Sequence, residues 1–151
     1  MEERINILKA DIEEQLKIID RIYAKIQKRK THFKESEENL ESMALQIHNF
    51  YCAVEELFKI IADFFENRIE EKEYHKNLLR RMKEEIEGVR PSVISESTFR
   101  LLDELRRFRH LIRHAYDIEI DPERLEIILN FTEKAYPELK KDIEEFMGKL
   151  G

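Results

Sequence analysis

Two arginines and two histidines lie within six consecutive positions of this chain: Arg109, His110, Arg113 and His114. A tyrosine, Tyr116, follows shortly after them. Imidazole titrates near neutral pH and can move protons, whereas guanidinium presents a fork of donors that matches a phosphate group. Together these residues indicate phosphate-ester chemistry, with histidine as the acid or base and arginine as the phosphate ligand.

The sequence around these residues predicts a helix with an apolar stripe facing the core. The stripe is formed by residues at helical spacing: Leu101, Leu105, Phe108, Ile112 and Ala115. At about 100° per residue, Arg109, Arg113 and Tyr116 fall on a flank beside the stripe, and His110 and His114 fall nearly opposite it. We therefore expect the two histidines to lie outside the core.

Two other interpretations of the same residues are open. A solvated charged face would also place arginine and histidine on the outside of a helix. Alternatively, His110, His114 and Asp117 have the i, i+4, i+7 spacing of a metal site. Against a metal, Arg109 and Arg113 would add positive charge beside the cation, and the sequence has no second His/Cys cluster.

The phosphate interpretation requires Arg109 and His114 to act on one group, although they point in different directions. Five residues apart, they lie about 140° apart around an ideal helix. They converge if the helix loosens at its end, or if a two-fold dimer places side chains from both chains in one groove. The spacing thus favours a homodimer.

Composition predicts an all-α fold. Only three glycines and three prolines occur in 151 residues, and 40% of the residues are charged, against about 25% in a typical protein. Long amphipathic helices explain this combination. The length suits a single domain, which we place at residues 1–151.

Charge and hydropathy limit the function classes. A net charge of −6 argues against a general nucleic-acid coat, although a local basic patch on an acidic body is compatible with it. Cys52 is the single cysteine, which excludes an intramolecular disulfide, and its aromatic neighbourhood predicts a buried thiol. The N-terminal Met-Glu-Glu-Arg lacks the layout of a signal peptide, and no apolar run reaches the roughly 18 residues of a membrane span. We expect a cytoplasmic protein without membrane attachment.

Apolar periodicity predicts about five helices packed as a bundle. The first spans about residues 2–30, and the second begins after a cap at Ser36. The second helix has the heaviest apolar face, rich in Phe, which we interpret as core.

The remaining helices are marked by their ends. The third is predicted over about residues 72–87 and closed by Gly88 and Pro91, followed by a loop over 89–97. The fourth begins near Ser95 or Ser97 and contains the Arg/His motif. The fifth begins at Asp121-Pro122, and Pro137 is expected to kink or break it before a short final segment ends near Gly148.

Arg109, four intervening residues and His114 resemble the Arg-x4–6-His signature of the HEPN superfamily. With Tyr116 the string becomes Arg-x4-His-x-Tyr, which is similar to the HepT-type toxins, and Pro-Glu-Leu at 137–139 also resembles that group. HEPN domains are all-α and dimeric, and many are metal-independent ribonucleases. HepT-type toxins are encoded with a minimal nucleotidyltransferase antitoxin.

The resemblance implies a role for each motif residue. Arg109 and His114 would be the catalytic pair for RNA cleavage, with His110 and Arg113 supporting them at the phosphate. Tyr116 would be the residue that the nucleotidyltransferase adenylylates, or else a tyrosine packed at a helix end. No cofactor is implied. A non-catalytic HEPN-like module that binds a nucleotidyltransferase is the competing interpretation, and the acidic net charge favours it.

Overall fold

The computed structural model describes residues 2–66, 74–114 and 119–151, and all regular structure within these ranges is helical. The helices are α1 (Glu2–Arg29), α2 (Glu37–Phe65), α3 (Tyr74–Met82), α4 (Glu96–His114) and α5 (Pro122–Gly148). The predicted bundle of about five helices is therefore confirmed. In the described ranges we find no helix with both the length and the apolar character needed to span a membrane.

The first two helices form a long antiparallel hairpin. The turn between them lies at residues 30–36, and the side chain of Ser36 caps α2 by accepting a backbone amide, as predicted. Arg29 Nε donates to Ser42 Oγ at 2.9 Å near the turn, and Gln15 Nε2 donates to the carbonyl of Ala53 at 2.9 Å further along. Because earlier residues of α1 contact later residues of α2, the two helices run in opposite directions.

Helix α2 is the centre of the bundle, since it packs against each of the other four helices. Its apolar face is fully buried, as the density of aromatic and aliphatic residues predicts. The largest buried side chains on it are Phe50, Tyr51, Phe58, Met43, Ile47, Leu57 and Ile61. Burial of an aliphatic or aromatic side chain contributes about 1.5–3 kcal/mol, so this one face supplies much of the driving force for folding.

Helices α4 and α5 pack antiparallel. Asp142 of α5 accepts from the backbone amide of Ser95 at 2.9 Å and from the Thr98 hydroxyl at 2.6 Å, which ties the start of α4 to the far part of α5. Asp121 caps α5, and Pro122 occupies its first turn, where a missing amide proton costs nothing. These contacts fix the direction in which α4 carries the Arg/His motif.

Of the two outcomes expected at Pro137, a kink or a break, the break is wrong, because α5 continues through this residue to Gly148. A proline inside a helix costs about 3 kcal/mol. Here packing on both sides offsets that cost: Ala135 and Leu139 are buried, and the ring of Tyr136 stacks on Tyr23 of α1 with centroids 3.9 Å apart. Local propensity is overridden by tertiary contacts.

Helix α3 ends at Met82 and not near Glu87, which corrects the predicted boundary. The carbonyl of Met82 accepts the amides of Val93 and Ile94, at 2.8 and 3.1 Å, in place of an amide from a continued helix. Between Met82 and Val93 the chain makes a tight turn in which Gly88 adopts φ +77°. Only glycine adopts this left-handed conformation at no steric cost, so Gly88 serves the turn and does not terminate a helix.

Arg90 holds this loop against the end of α2. Its side chain is fully buried, and its guanidinium donates to the carbonyls of Glu84, Pro91 and Arg81 at 2.8, 3.0 and 2.9 Å. Its Nη2 also lies 3.4 Å from the carboxylate of Glu66, the residue that caps the C-terminus of α2. Burial lowers the pKa of Arg90, and the charge of Glu66 opposes that shift.

Candidate functional site

The face of α4 that contacts the core is rotated from the predicted stripe. Leu105 is buried as expected, but Leu102 is fully buried while Leu101 is only partly so. With buried Thr98, these residues form the row 98, 102, 105, and the next position in that row is Arg109. The rotation explains why Arg109 turns toward the bundle and does not lie on an open flank.

Arg109 is largely buried against α2. Its side chain is 11% exposed, and its Nε lies 3.7 Å from Oε1 of Glu55. This separation is that of an ion pair, too long for a hydrogen bond. Within the described residues the buried Nε has no hydrogen-bond partner. The charge of Arg109 is thus balanced mainly by the carboxylate of Glu55.

Glu55 is a buried carboxylate at the edge of the apolar face of α2, with 8% of its surface exposed. Both of its oxygens are within hydrogen-bonding distance of Nδ1 of His75 on α3, at 3.0 and 2.8 Å. An ionised carboxylate only accepts, so Nδ1 of His75 carries the hydrogen. Glu55 therefore joins three helices, with His75 of α3 on one side and Arg109 of α4 on the other.

Tyr51 lies one helical turn before Glu55 and is fully buried. Its hydroxyl has no hydrogen-bond partner in the described part of the chain. Burial raises the pKa of Tyr51 well above its usual value; the charge of Glu55 raises it further, Arg106 lowers it, Asp103 raises it and Arg109 lowers it. The phenol stays protonated and neutral beside the ion pair.

His48 lies on α2 close enough to the motif to be affected by its charges. Burial lowers the pKa of His48, and the positive charges of Arg109 and Arg113 lower it further. Its Nε2 is 3.5 Å from Sγ of Cys52, which is partly exposed and not buried as predicted. The imidazole of His48 is therefore neutral near pH 7.

Of the other motif residues, the structure describes the side chains of His110 and Arg113 but not those of His114 and Tyr116. His110 and Arg113 are exposed, which confirms that His110 points away from the core. His114 is the last residue of α4, but its side chain lies outside the described part, as do Tyr116 and the whole residue 117.

The alternative metal site used His110, His114 and Asp117, of which only His110 is described in full. Among the described residues, no group of three or more His, Cys, Asp or Glu side chains could hold a metal ion. The structure does bring together Arg109, Glu55 and His75, and His48 is close enough to Arg109 to be affected by its charge.

Sequence reasoning missed Glu55, His75 and His48. Glu55 had a recognisable signal, because it interrupts the apolar face of α2 next to Tyr51 and Val54, and acidic residues are rarely buried without a partner. His75 had none, since its position depends on how α3 packs on α2. Periodicity identifies the face of each helix but not which helix that face meets.

A helical bundle with an Arg-x4-His motif at the end of its fourth helix fits the HEPN superfamily. The sequence model of a family described as HepT-like protein matches residues 42–150. The chain belongs to this HepT-like family. The match includes Glu55, His75, Arg109 and His114 and begins within α2, after α1. Comparison with curated proteins and with solved structures finds no match.

Proposed function

We propose that this chain is a metal-independent endoribonuclease, the toxin of a toxin-antitoxin pair, that cleaves RNA at a composite Arg/His site in a homodimer groove. The observation that carries the proposal is the position of the motif: Arg109 and His114 occupy the last turns of α4 in a HepT-like chain. HepT-like proteins are associated with ribonuclease activity.

RNA cleavage of this kind uses the nucleophile that RNA supplies. The ribose 2′ oxygen attacks the adjacent phosphorus, its proton passes to a base, and the bond from phosphorus to the 5′ oxygen breaks as that oxygen receives a proton. His114 either takes the first proton or delivers the second. Arg109 binds the scissile phosphate and offsets the charge that gathers on its oxygens.

The exposed residues of the motif complete the site. His110 is suited to be the second acid or base, and Arg113 to bind a phosphate of the same strand. Because these two side chains face away from the core, a second copy of the chain placed against this surface brings both sets of groups into one groove. The products are a 2′,3′-cyclic phosphate and a free 5′-hydroxyl.

The partner we propose is a minimal nucleotidyltransferase acting as antitoxin, with Tyr116 as the residue it adenylylates. An attached AMP brings a phosphate that can pair with Arg109 or Arg113 in the place of the RNA phosphate. Tyr116 lies outside the described residues, so its assignment depends on the motif. Mass spectrometry of the chain co-expressed with a cognate nucleotidyltransferase tests it, and an adenylyl group on another residue would contradict it.

Cleavage of RNA in the presence of EDTA tests the proposed activity. We expect cleavage to persist and to leave 2′,3′-cyclic phosphate ends. Replacing His114 with Ala should lower the rate about 10²–10⁴-fold, the usual contribution of a general acid or base. His32→Ala is the control, because His32 is exposed on the turn between α1 and α2. If His114→Ala cleaves as fast as the wild type, His114 is not the catalyst.

The second candidate function is a non-catalytic module that binds a nucleotidyltransferase. The net charge of −6 and the burial of Arg109 in an ion pair favour it. Such a module would bind the partner enzyme but would leave RNA intact at every chain concentration. The cleavage assay with EDTA therefore separates the two candidates.

A further inference from the structure

We propose that Glu55 and His75 are positioning residues that hold the side chain of Arg109 so that its terminal nitrogens face the RNA phosphate; this inference rests on the proposed function. Arg109, Glu55 and His75 come from α4, α2 and α3. The carboxylate of Glu55 is the point at which these three helices meet through polar side chains.

The geometry of the ion pair supports this role. Glu55 approaches Arg109 at Nε, which is buried, at 3.7 Å. A guanidinium has five N–H donors in a rigid plane, four of them on the two terminal nitrogens. Because the carboxylate lies on the Nε side of the guanidinium, the terminal nitrogens are left for a phosphate. A carboxylate on the terminal nitrogens would instead compete with the substrate.

His75 restricts Glu55 in turn. Its Nδ1 contacts both carboxylate oxygens, at 3.0 and 2.8 Å, on the side of Glu55 that faces α3. The contact with His75 therefore fixes the carboxyl group of Glu55 between α2 and α3 independently of Arg109. A flexible arginine side chain that packs against a fixed charge loses much of its freedom before substrate binds.

Stability alone does not explain a charge at position 55. A buried ion pair is weak evidence for stabilisation, because the cost of removing two charges from water consumes most of their attraction. The helical neighbours of Glu55 one turn before and one turn after it, Tyr51 and Phe58, are fully buried. An apolar residue at 55 opposite an apolar residue at 109 would pack there equally well. The pair is therefore better explained by what it does to Arg109.

The first experiment observes Arg109 directly. We expect the Nε–H proton of Arg109, observed through its 15N NMR signal, to exchange slowly with solvent in the wild type. Its exchange rate should be at least tenfold higher in Glu55→Gln, with a smaller increase in His75→Asn. Glu56→Gln is the matched control, because Glu56 is the next residue on α2 and is exposed. If the Nε–H proton of Arg109 exchanges at the wild-type rate in Glu55→Gln, the proposal is overturned, whether or not the chain cleaves RNA.

The second experiment measures the consequence for cleavage. Glu55→Gln should lower kcat by about 10–100-fold with little change in KM, as expected when a group is misplaced in the transition state. In an Arg109→Ala background the same substitution should change kcat by less than about twofold, because a positioning residue acts only through its target. Unchanged thermal unfolding of Glu55→Gln, or of the milder Glu55→Asp, would show that the fold is intact.

The two proposals fail differently. A wild-type chain that does not cleave RNA contradicts the proposed function, and the exchange measurement then decides the positioning role. If Arg109→Ala abolishes cleavage while Glu55→Gln cleaves normally, the function stands and the positioning role is wrong. If Glu55→Gln lowers kcat equally in both backgrounds, Glu55 acts independently of Arg109, which also overturns the proposal.

Discussion

His48 is the histidine whose protonation the bundle most clearly opposes. Its pKa is lowered from 6.5 by burial and by the charges of Arg109 and Arg113. The unfolded chain binds a proton more readily at this position than the folded chain does. The stability that neutral His48 contributes is therefore complete above pH 6.5 and is lost as the pH falls below that value.

This argument predicts a pH dependence for the stability of the protein. In urea unfolding, the free energy of unfolding should fall between pH 8 and pH 5.5, and the fall should be smaller in His48→Gln. His32→Gln, at an exposed position, should follow the wild type. If His48→Gln follows the wild type as well, neither burial nor the two arginines lowers the pKa of this imidazole measurably.

At the same scale, the environment of one motif residue was predictable from the sequence and that of another was not. The exposure of His110 followed from its place on the helical wheel. The burial of Arg109 did not, because it depends on a rotation of α4 that places Leu102 rather than Leu101 in the core. That rotation is decided by packing between helices, which no single helix encodes.

Helix ends were predicted well where a side chain caps its own helix. Ser36 and Asp121 both cap the helices that follow them. The end of α3 was wrong because the amides that satisfy Met82 come from Val93 and Ile94, beyond a turn. The prediction at Pro137 considered only the local cost of proline inside a helix, which tertiary packing outweighs. Long-range contacts account for both errors.

Arg90 provides a prediction at the level of the elements. Arg90→Met removes three hydrogen bonds to carbonyls and one charge partner of buried Glu66. The free energy of unfolding should fall by about 3–5 kcal/mol, because three carbonyls lose hydrogen bonds from a charged donor, whereas Glu66 keeps its ion pair with Arg81 at 2.6 Å. Arg90→Lys should also destabilise, because lysine has no planar fork to reach several carbonyls.

The control for Arg90 is Arg100→Met on α4. Arg100 pairs with Glu96 at 3.4 Å, but its side chain is 77% exposed. An exposed helical pair contributes about 0.3–0.5 kcal/mol, so this variant should unfold almost as the wild type does. Equal effects of the two substitutions in chemical denaturation would show that the loop is not held by Arg90.

At the scale of the whole molecule, one surface is suited to a second copy of the chain. Leu45 is 53% exposed on α2 and shares a helical face with His48 and Cys52 at i, i+3 and i+7. His48 in turn lies near Arg113 of α4. The exposed Leu45 therefore lies one turn from a histidine that is close to the motif, and we expect a second copy of the chain to pack there.

The dimer prediction follows from this surface. Light scattering should give about twice the chain mass of 18.4 kDa. Leu45→Glu should shift the protein toward the monomer and lower cleavage per chain. Ile127→Glu should do neither, since Ile127 is equally exposed but lies on α5. A wild-type monomer at micromolar concentration would contradict the composite groove.

The meeting of α2, α3 and α4 at Glu55 also has a consequence for how such a chain can diverge. A lineage that loses Arg109 is left with a carboxylate inside an apolar interface, where an unpaired charge is costly. Selection should then replace Glu55 with an apolar or amide residue, and His75 should drift once it has no acceptor. Relatives that keep the arginine should keep the acid, so positions 55 and 109 should vary together across the family.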